Sequence, residues 1–198
     1  MDSYFTIDKN VFSEIKIIKS VFIAGAFPFK LQTEIPDILK NIKKKYHDAS
    51  HHPYAFRAGL NKNNFRTSDD GEPSGTSGKP ILEAIDKYNL TDLIVIVTRY
   101  FGGIKLGIGG LRRAYFDAAD ECLLKAEIIE KFITNRFAVK FDYKFMNVIM
   151  RLLENKKAAV RENLSAEQCC LNIEVRISES ENLKSEIVKL TNGSAVIT

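Results

Sequence analysis

At 198 residues the chain can bury one ordinary core or two small ones, and with 45% hydrophobic residues it is too apolar to stay disordered. A net charge of +4 permits a nucleic-acid or ribosomal partner without amounting to a polybasic signature, and the excess lies mostly beyond residue 130. Cys122, Cys169 and Cys170 make neither a disulfide framework nor a CxxC pair; Cys122 and Cys169 read as small buried hydrophobes.

The opening residues, MDSYFTIDKN, lack a basic stretch followed by an apolar one, so no secretory signal is read there. The longest aliphatic run, Leu93 to Val97, is far shorter than the roughly 20 residues that span a bilayer. A cytoplasmic protein without a membrane partner is expected.

Val21 to Phe29 is apolar on both faces and predicts a buried strand. Ile35, Ile38, Leu39, Ile42 and Tyr46 follow at helical spacing, with Thr33 as the expected N-cap. His52 to Ala58 predicts a strand, which Pro53 marks as a beginning or an edge. Arg66 to Lys79 reads as a polar loop, and Pro80 suits the first turn of a helix reaching Tyr88. Leu93 to Thr98 predicts a central strand, and glycine-rich Gly102 to Gly110 separates it from a helix whose buried stripe is Leu111, Tyr115, Ala118, Cys122 and Ala126.

A new pattern starts at residue 131. Phe137, Val139 and Phe141 predict a half-buried strand, and Phe145, Val148, Ile149, Leu152 and Leu153 a helix. A short strand is expected at Ala158 to Val160, a turn at Glu162 to Ala166, and a strand in which Cys169, Leu171, Ile173, Val175 and Ile177 face inward. Leu183, Ile187 and Leu190 then stripe a last helix, stopped at Asn192-Gly193 before a strand at Ala195 to Ile197. This order, β-α-β-β-α-β, is the ferredoxin-like plan. The expected class is therefore α+β, with domains at 1–130 and 131–198.

Two loops carry the chemistry: RTSDDGEPSGTSGKP from Arg66, and TRYFGGIKLGIGGLRRAY from Thr98. Each feeds a helix, whose amino end offers unpaired N–H groups and a partial positive charge to an anion. Lys79, Lys105, Arg112 and Arg113 crowd those ends against the helix dipole, at roughly 0.3–1 kcal/mol each when exposed. Either a bound anion compensates, or Asp69, Asp70 and Glu72 do. The candidate anion-binding set is Lys79, Arg99, Gly102, Gly103, Lys105, Gly107, Gly109, Gly110, Arg112 and Arg113.

Standard nucleotide motifs fail. There is no GxxxxGK followed by Ser or Thr, and Gly107-x-Gly109 meets Arg112 where a dinucleotide fingerprint needs glycine. Ser68, Ser74 and Ser77 sit in no GxSxG elbow, and no catalytic residue is assigned. His47, His51 and His52 with Asp48 match no zinc spacing, and a strand puts His51 and His52 on opposite faces; no metal and no cofactor is expected.

Those two loops resemble the signature stretches of the IMPACT/YigZ family, through SDDGEPSGTSGKPIL from Ser68 and VTRYFGGIKLGIGGLRRAY from Val97. KSVFIAGAFP at the first predicted strand and the His-His-x-Tyr-Ala run from His51 support the likeness, which covers roughly residues 15–127. Ile108 stands where the family usually has a small residue. The resemblance implies an N-terminal domain like domain 2 of ribosomal protein S5, with a left-handed crossover, and a C-terminal domain similar to those of the translocation elongation factor. It implies a role in translation. Eukaryotic members compete for the activator of an amino-acid-starvation kinase, but their extra N-terminal domain is not expected here, so that partner is not carried over.

The function expected is a translation-associated binding protein whose basic glycine-rich cleft meets RNA, the ribosome or a translation factor. The alternative is an enzyme acting on a phosphorylated small molecule or nucleotide, with Asp69 and Asp70 holding Mg²⁺.

Overall fold

A computed structural model describes residues 2–60, 63–163 and 169–198. The chain is mixed α/β and divides into two compact units, residues 4–131 and residues 132–198 together with Asp2 and Ser3.

In the first unit, β2 (Val11–Ile17), β3 (Ser20–Pro28), β4 (Tyr54–Arg57), β5 (Phe65–Ser68) and β6 (Leu93–Tyr100) form one antiparallel sheet in the order β2-β3-β6-β4-β5. A separate two-stranded sheet joins β1 (Ser3–Ile7) to β7 (Ile128–Phe132). Helices α2 (Gly78–Lys87) and α3 (Gly107–Leu124) cover one face of the large sheet, where Phe22, Ala24, Val95 and Val97 meet Ile81, Ile85, Tyr115 and Cys122. Helix α1 (Ile35–Lys45) covers the other, with Ile35 and Ile42 against Phe27, Phe56, Ile94 and Ile96. Burial on both faces is why β6 reads as an unbroken aliphatic run.

Local details differ from expectation where a short-range hydrogen bond or a partner strand overrides the pattern. Thr33 does not cap α1. A 3₁₀ turn at Gln32–Glu34 precedes the helix, and the Glu34 carboxylate accepts from the amides of Lys30 (3.0 Å) and Leu31 (2.8 Å). The polar loop begins later than expected, because Arg66 to Ser68 belong to β5, an exposed strand paired to β4.

The second unit runs β8 (Thr134–Phe141), α4 (Met146–Asn155), β9 (Ala159–Asn163), β10 (Cys169–Arg176), α5 (Ile177–Leu190) and β11 (Val196–Ile197). Its antiparallel sheet has the order β11-β8-β10-β9. Phe137, Val139, Phe141, Cys169, Leu171, Ile173 and Val175 pack against Ile149 and Leu153 of α4 and Leu183 and Ile187 of α5. Ile177 is not on the buried face; it opens α5 and is half exposed. Asn192 and Gly193, both at positive φ, end that helix. Part of the turn expected at Glu162 to Ala166 lies outside the described residues; Glu162 itself is in β9. Among the described residues no helix is long and apolar enough to cross a membrane.

Candidate functional site

The first loop folds around one carboxylate. Asp69 Oδ1 accepts from the amides of Ser77 (3.0 Å) and Gly78 (2.9 Å) and from the Ser77 hydroxyl (2.7 Å), while Oδ2 accepts from the Gly75 amide (2.8 Å). Asp69 thus supplies the negative charge that the amino end of α2 attracts. Burial alone would raise its pKa, but the Gly75, Gly78 and Ser77 hydrogen bonds together hold it below the ordinary carboxylate value.

Asp70 turns the other way. Its carboxylate takes Lys43 Nζ (2.8 Å) and the His52 amide (2.8 Å). Its backbone is left-handed (φ 42°), and its carbonyl accepts from Nδ1 of His51 at 2.9 Å. The two carboxylates expected to share Mg²⁺ therefore diverge, and the oxygens of each are engaged by the chain itself. Among the described residues no group of three or more His, Cys, Asp or Glu is arranged to hold a metal.

Glu72 reaches the second loop. Its Oε1 accepts from Arg99 Nη1 (2.6 Å) and from the Tyr115 hydroxyl (2.7 Å), and the Glu72 and Arg99 side chains are only 4% and 6% exposed. Burial first, and then the Glu72 carboxylate, push the Tyr115 pKa far above the ordinary phenol value, so Tyr115 stays a donor. The Arg99 guanidinium lies between the rings of Phe22 (5.4 Å) and Phe101 (5.2 Å), and its Nε has no acceptor among the described residues.

Glycine is required at Gly102, where a Cβ would stand 1.8 Å from the Lys19 carbonyl oxygen. Gly107, at φ 71°, turns the chain into α3. Because α3 starts there, Arg112 and Arg113 lie in its second turn, not its first as expected. Arg112 donates to the Gly75 carbonyl (2.8 Å) and pairs with Glu83 (3.2 Å); Arg113 pairs with Asp117 (3.6 Å) on the surface. Lys79 and Lys105 are exposed and have no ion-pair partner among the described residues.

The two loops meet at one cavity of about 430 Å³. Ser50, His51, Glu72 and Arg99 give it polar groups; Pro73, Phe101, Leu106, Ile108 and Leu111 make its apolar walls; Lys105 and Gly107 complete the lining. Of the sequence-predicted set, the cavity thus gathers Arg99, Lys105, Gly107 and Glu72. Lys79, Gly102, Gly103, Gly109, Gly110, Arg112, Arg113, Asp69 and Asp70 are not on its lining. Ser50, Pro73, Phe101, Leu106, Ile108 and Leu111 lie outside the expected site set, and so does His51, which the sequence offers only as an unsupported zinc ligand and as part of the family likeness. An aromatic directly after a strand and before Gly-Gly, as Phe101 stands, is the signal that pointed there.

His52, next to His51, serves the fold. Its Nε2 donates to the Tyr46 carbonyl at 3.1 Å, and burial lowers its pKa, opposed by that carbonyl and by Asp70.

Residues 18–123, which contain both loops and every residue lining the cavity, match the family described as the Impact N-terminal domain. The chain belongs to the IMPACT family. It is 34% identical over 197 residues to IMPACT family member YvyE of Bacillus subtilis strain 168, covering 100% of this chain and 91% of that relative. It is 32% identical over 117 residues to IMPACT family member YigZ of Escherichia coli K12, covering 58% of this chain and 57% of that one. A crystal structure described as a hypothetical protein superposes with a TM-score of 0.74 at 25% identity, covering 100% of this chain and 97% of that one.

Proposed function

We propose that this IMPACT family member is a cytoplasmic, translation-associated binding protein that docks on ribosomal or transfer RNA through the cleft between the two loops. The observation that carries this reading is the meeting of both signature loops at one cavity, where, among the described residues, Lys105 has no carboxylate partner and the amino end of α3 no side-chain cap. Cations and uncapped helix ends both favour phosphate. We take the first unit as the S5 domain 2-like fold and the second as ferredoxin-like; the β-α-β-β-α-β order and the β11-β8-β10-β9 sheet support the latter. On the second unit's sheet Lys140 of β8 is exposed, while Arg136 and Arg161 already share Glu174.

The test is sedimentation of the tagged chain with ribosomes at low and high salt. Pelleting that weakens as salt rises, and weakens further in Lys105→Glu, is expected. Arg112 is left intact because its guanidinium ties α3 to Gly75. Failure to pellet at either salt concentration removes the proposal.

A further inference from the structure

Four features of the cleft are left unsatisfied or exposed by the chain itself. The side chain of Arg99 is buried and lines the cavity, yet its Nε has no acceptor among the described residues, a costly state for an interior donor. Among the described residues no side chain caps α3, so the amides of its first turn are left for an outside acceptor, whereas Asp69 already serves α2. In His51, Nδ1 donates to the Asp70 carbonyl, which can only accept; the neutral ring is thereby held with Nε2 as its acceptor. Finally, Phe101 is 47% and Ile108 68% exposed, two large apolar surfaces on one cavity.

The backbone is bent to produce this arrangement. Asp70 adopts a left-handed conformation that brings its carbonyl to His51, and Gly71 (φ 89°) follows, where a Cβ would lie 3.2 Å from Nδ1 of His51. Aspartate tolerates this conformation, and Lys43 and the His52 amide hold its carboxylate in place.

We propose that the cleft receives one nucleotide unit of single-stranded RNA, with its base against Phe101 and Ile108, its phosphate at the amino end of α3 beside Lys105, and a base or ribose donor on Nε2 of His51. This rests on the RNA-binding reading above and names the unit recognised. Each part answers one of the last three features. A base presents a flat face to an aromatic ring whatever its identity. Its phosphate suits an uncapped helix end. Its amino, imino or hydroxyl groups suit a nitrogen acceptor. The volume of about 430 Å³ falls in the range of small-molecule sites and admits an unstacked nucleotide, not a duplex.

The experiment is an NMR titration of the isotope-labelled full chain with the four nucleoside 5′-monophosphates and a single-stranded trinucleotide, with nucleosides and inorganic phosphate as partial probes. Shifts at Phe101, His51 and the amides of 107–111 are expected, with nucleotides binding roughly tenfold or more tightly than nucleoside or phosphate alone. Ile108→Glu is the decisive variant. Its carboxylate suits the dipole of α3 and so preserves folding, but repels a phosphate at the same place; affinity should fall by roughly tenfold or more. His51→Ala and Phe101→Ala should each weaken the nucleotide without changing phosphate binding.

Three results overturn the proposal: no shifts with any nucleotide, nucleotides no tighter than phosphate, or wild-type affinity in Ile108→Glu. Shifts with an acidic peptide but not with nucleotides would assign the cleft to a protein partner instead. A chain that pellets with ribosomes yet ignores nucleotides keeps the translational reading and loses this one. The reverse pattern keeps the nucleotide site and loses the ribosome.

Discussion

Glu72 of the first loop and Arg99 near the end of β6 meet at 2.6 Å, and both side chains are almost wholly removed from water. That pair, with the Tyr115 hydroxyl on the same carboxylate oxygen, joins the first loop, the end of β6 and the middle of α3 beneath the cleft. Removing one member of a buried pair strands the other, which typically costs about 3–5 kcal/mol. Glu72→Ala is therefore expected to lower the unfolding free energy from urea titration by that amount, and Glu72→Gln, which keeps an acceptor for Tyr115, by less. Equal and small losses in both variants would mean that Arg99 finds water or another acceptor.

Asp69 makes a different prediction, because its partners are amides rather than a cation. Asp69→Ala should cost about 2 kcal/mol or more, since it removes the cap of α2 and leaves the Gly75 amide without its acceptor. Asp69→Asn should recover part of the loss. Since both Asp69 and Asp70 are engaged internally, Mg²⁺ or a chelator is expected to leave the melting temperature unchanged. A rise of several degrees with Mg²⁺ would show that these carboxylates rearrange to take the ion.

What could be read from the residues followed their periodicity. β3, β6, β8 and β10 carry unbroken or strictly alternating apolar runs, and α1 through α5 carry helical stripes, so each was visible. β5 was not, because FRTS has no apolar face; it is a strand only through its pairing with β4. β1 and β7 are short and depend likewise on a distant partner. At the site, the glycines and charges announced that two loops mattered, but spacing could not say which charges would meet. Arg99, Arg112 and Arg113 belong to one expected anion-binding set, yet Arg112 and Arg113 pair off on or near the surface while Arg99 sits under the cleft. Asp69 and Asp70 are adjacent in sequence, yet the left-handed turn at Asp70 sends them apart.

Acid should unfold the first unit in two steps with separate causes. Burial depresses the pKa of His52, so the unfolded chain takes up that proton before the native one does. The stability this contributes is complete above the ordinary histidine value near 6.5, and is lost as the pH falls through the lower native value. Asp69 and Asp70 are held below the ordinary carboxylate value of 3.8, so their contribution persists above that pH and disappears only as acid reaches their native values. Melting temperature against pH should thus decline first as the pH falls below about 6.5 and again below about 4. His52→Gln should flatten the first decline and spare the second. A first decline unchanged in that variant would assign it to another group.

The glycines of the second loop should separate into those the fold needs and one it does not. At Gly102 an added methyl would collide with the backbone carbonyl of Lys19, carbon and oxygen alike, and neither can yield without moving the strand it precedes. Gly102→Ala is expected to cost on the order of 3 kcal/mol. At Gly109, inside α3, the same methyl meets open space. Alanine there restricts the unfolded chain and favours the helix, so Gly109→Ala should raise stability by up to about 1 kcal/mol. Denaturant unfolding of the two variants checks the contrast. If Gly109→Ala stabilises the chain but weakens its binding to ribosomes, glycine stands there for the partner's approach; if binding is untouched, the contact passes elsewhere.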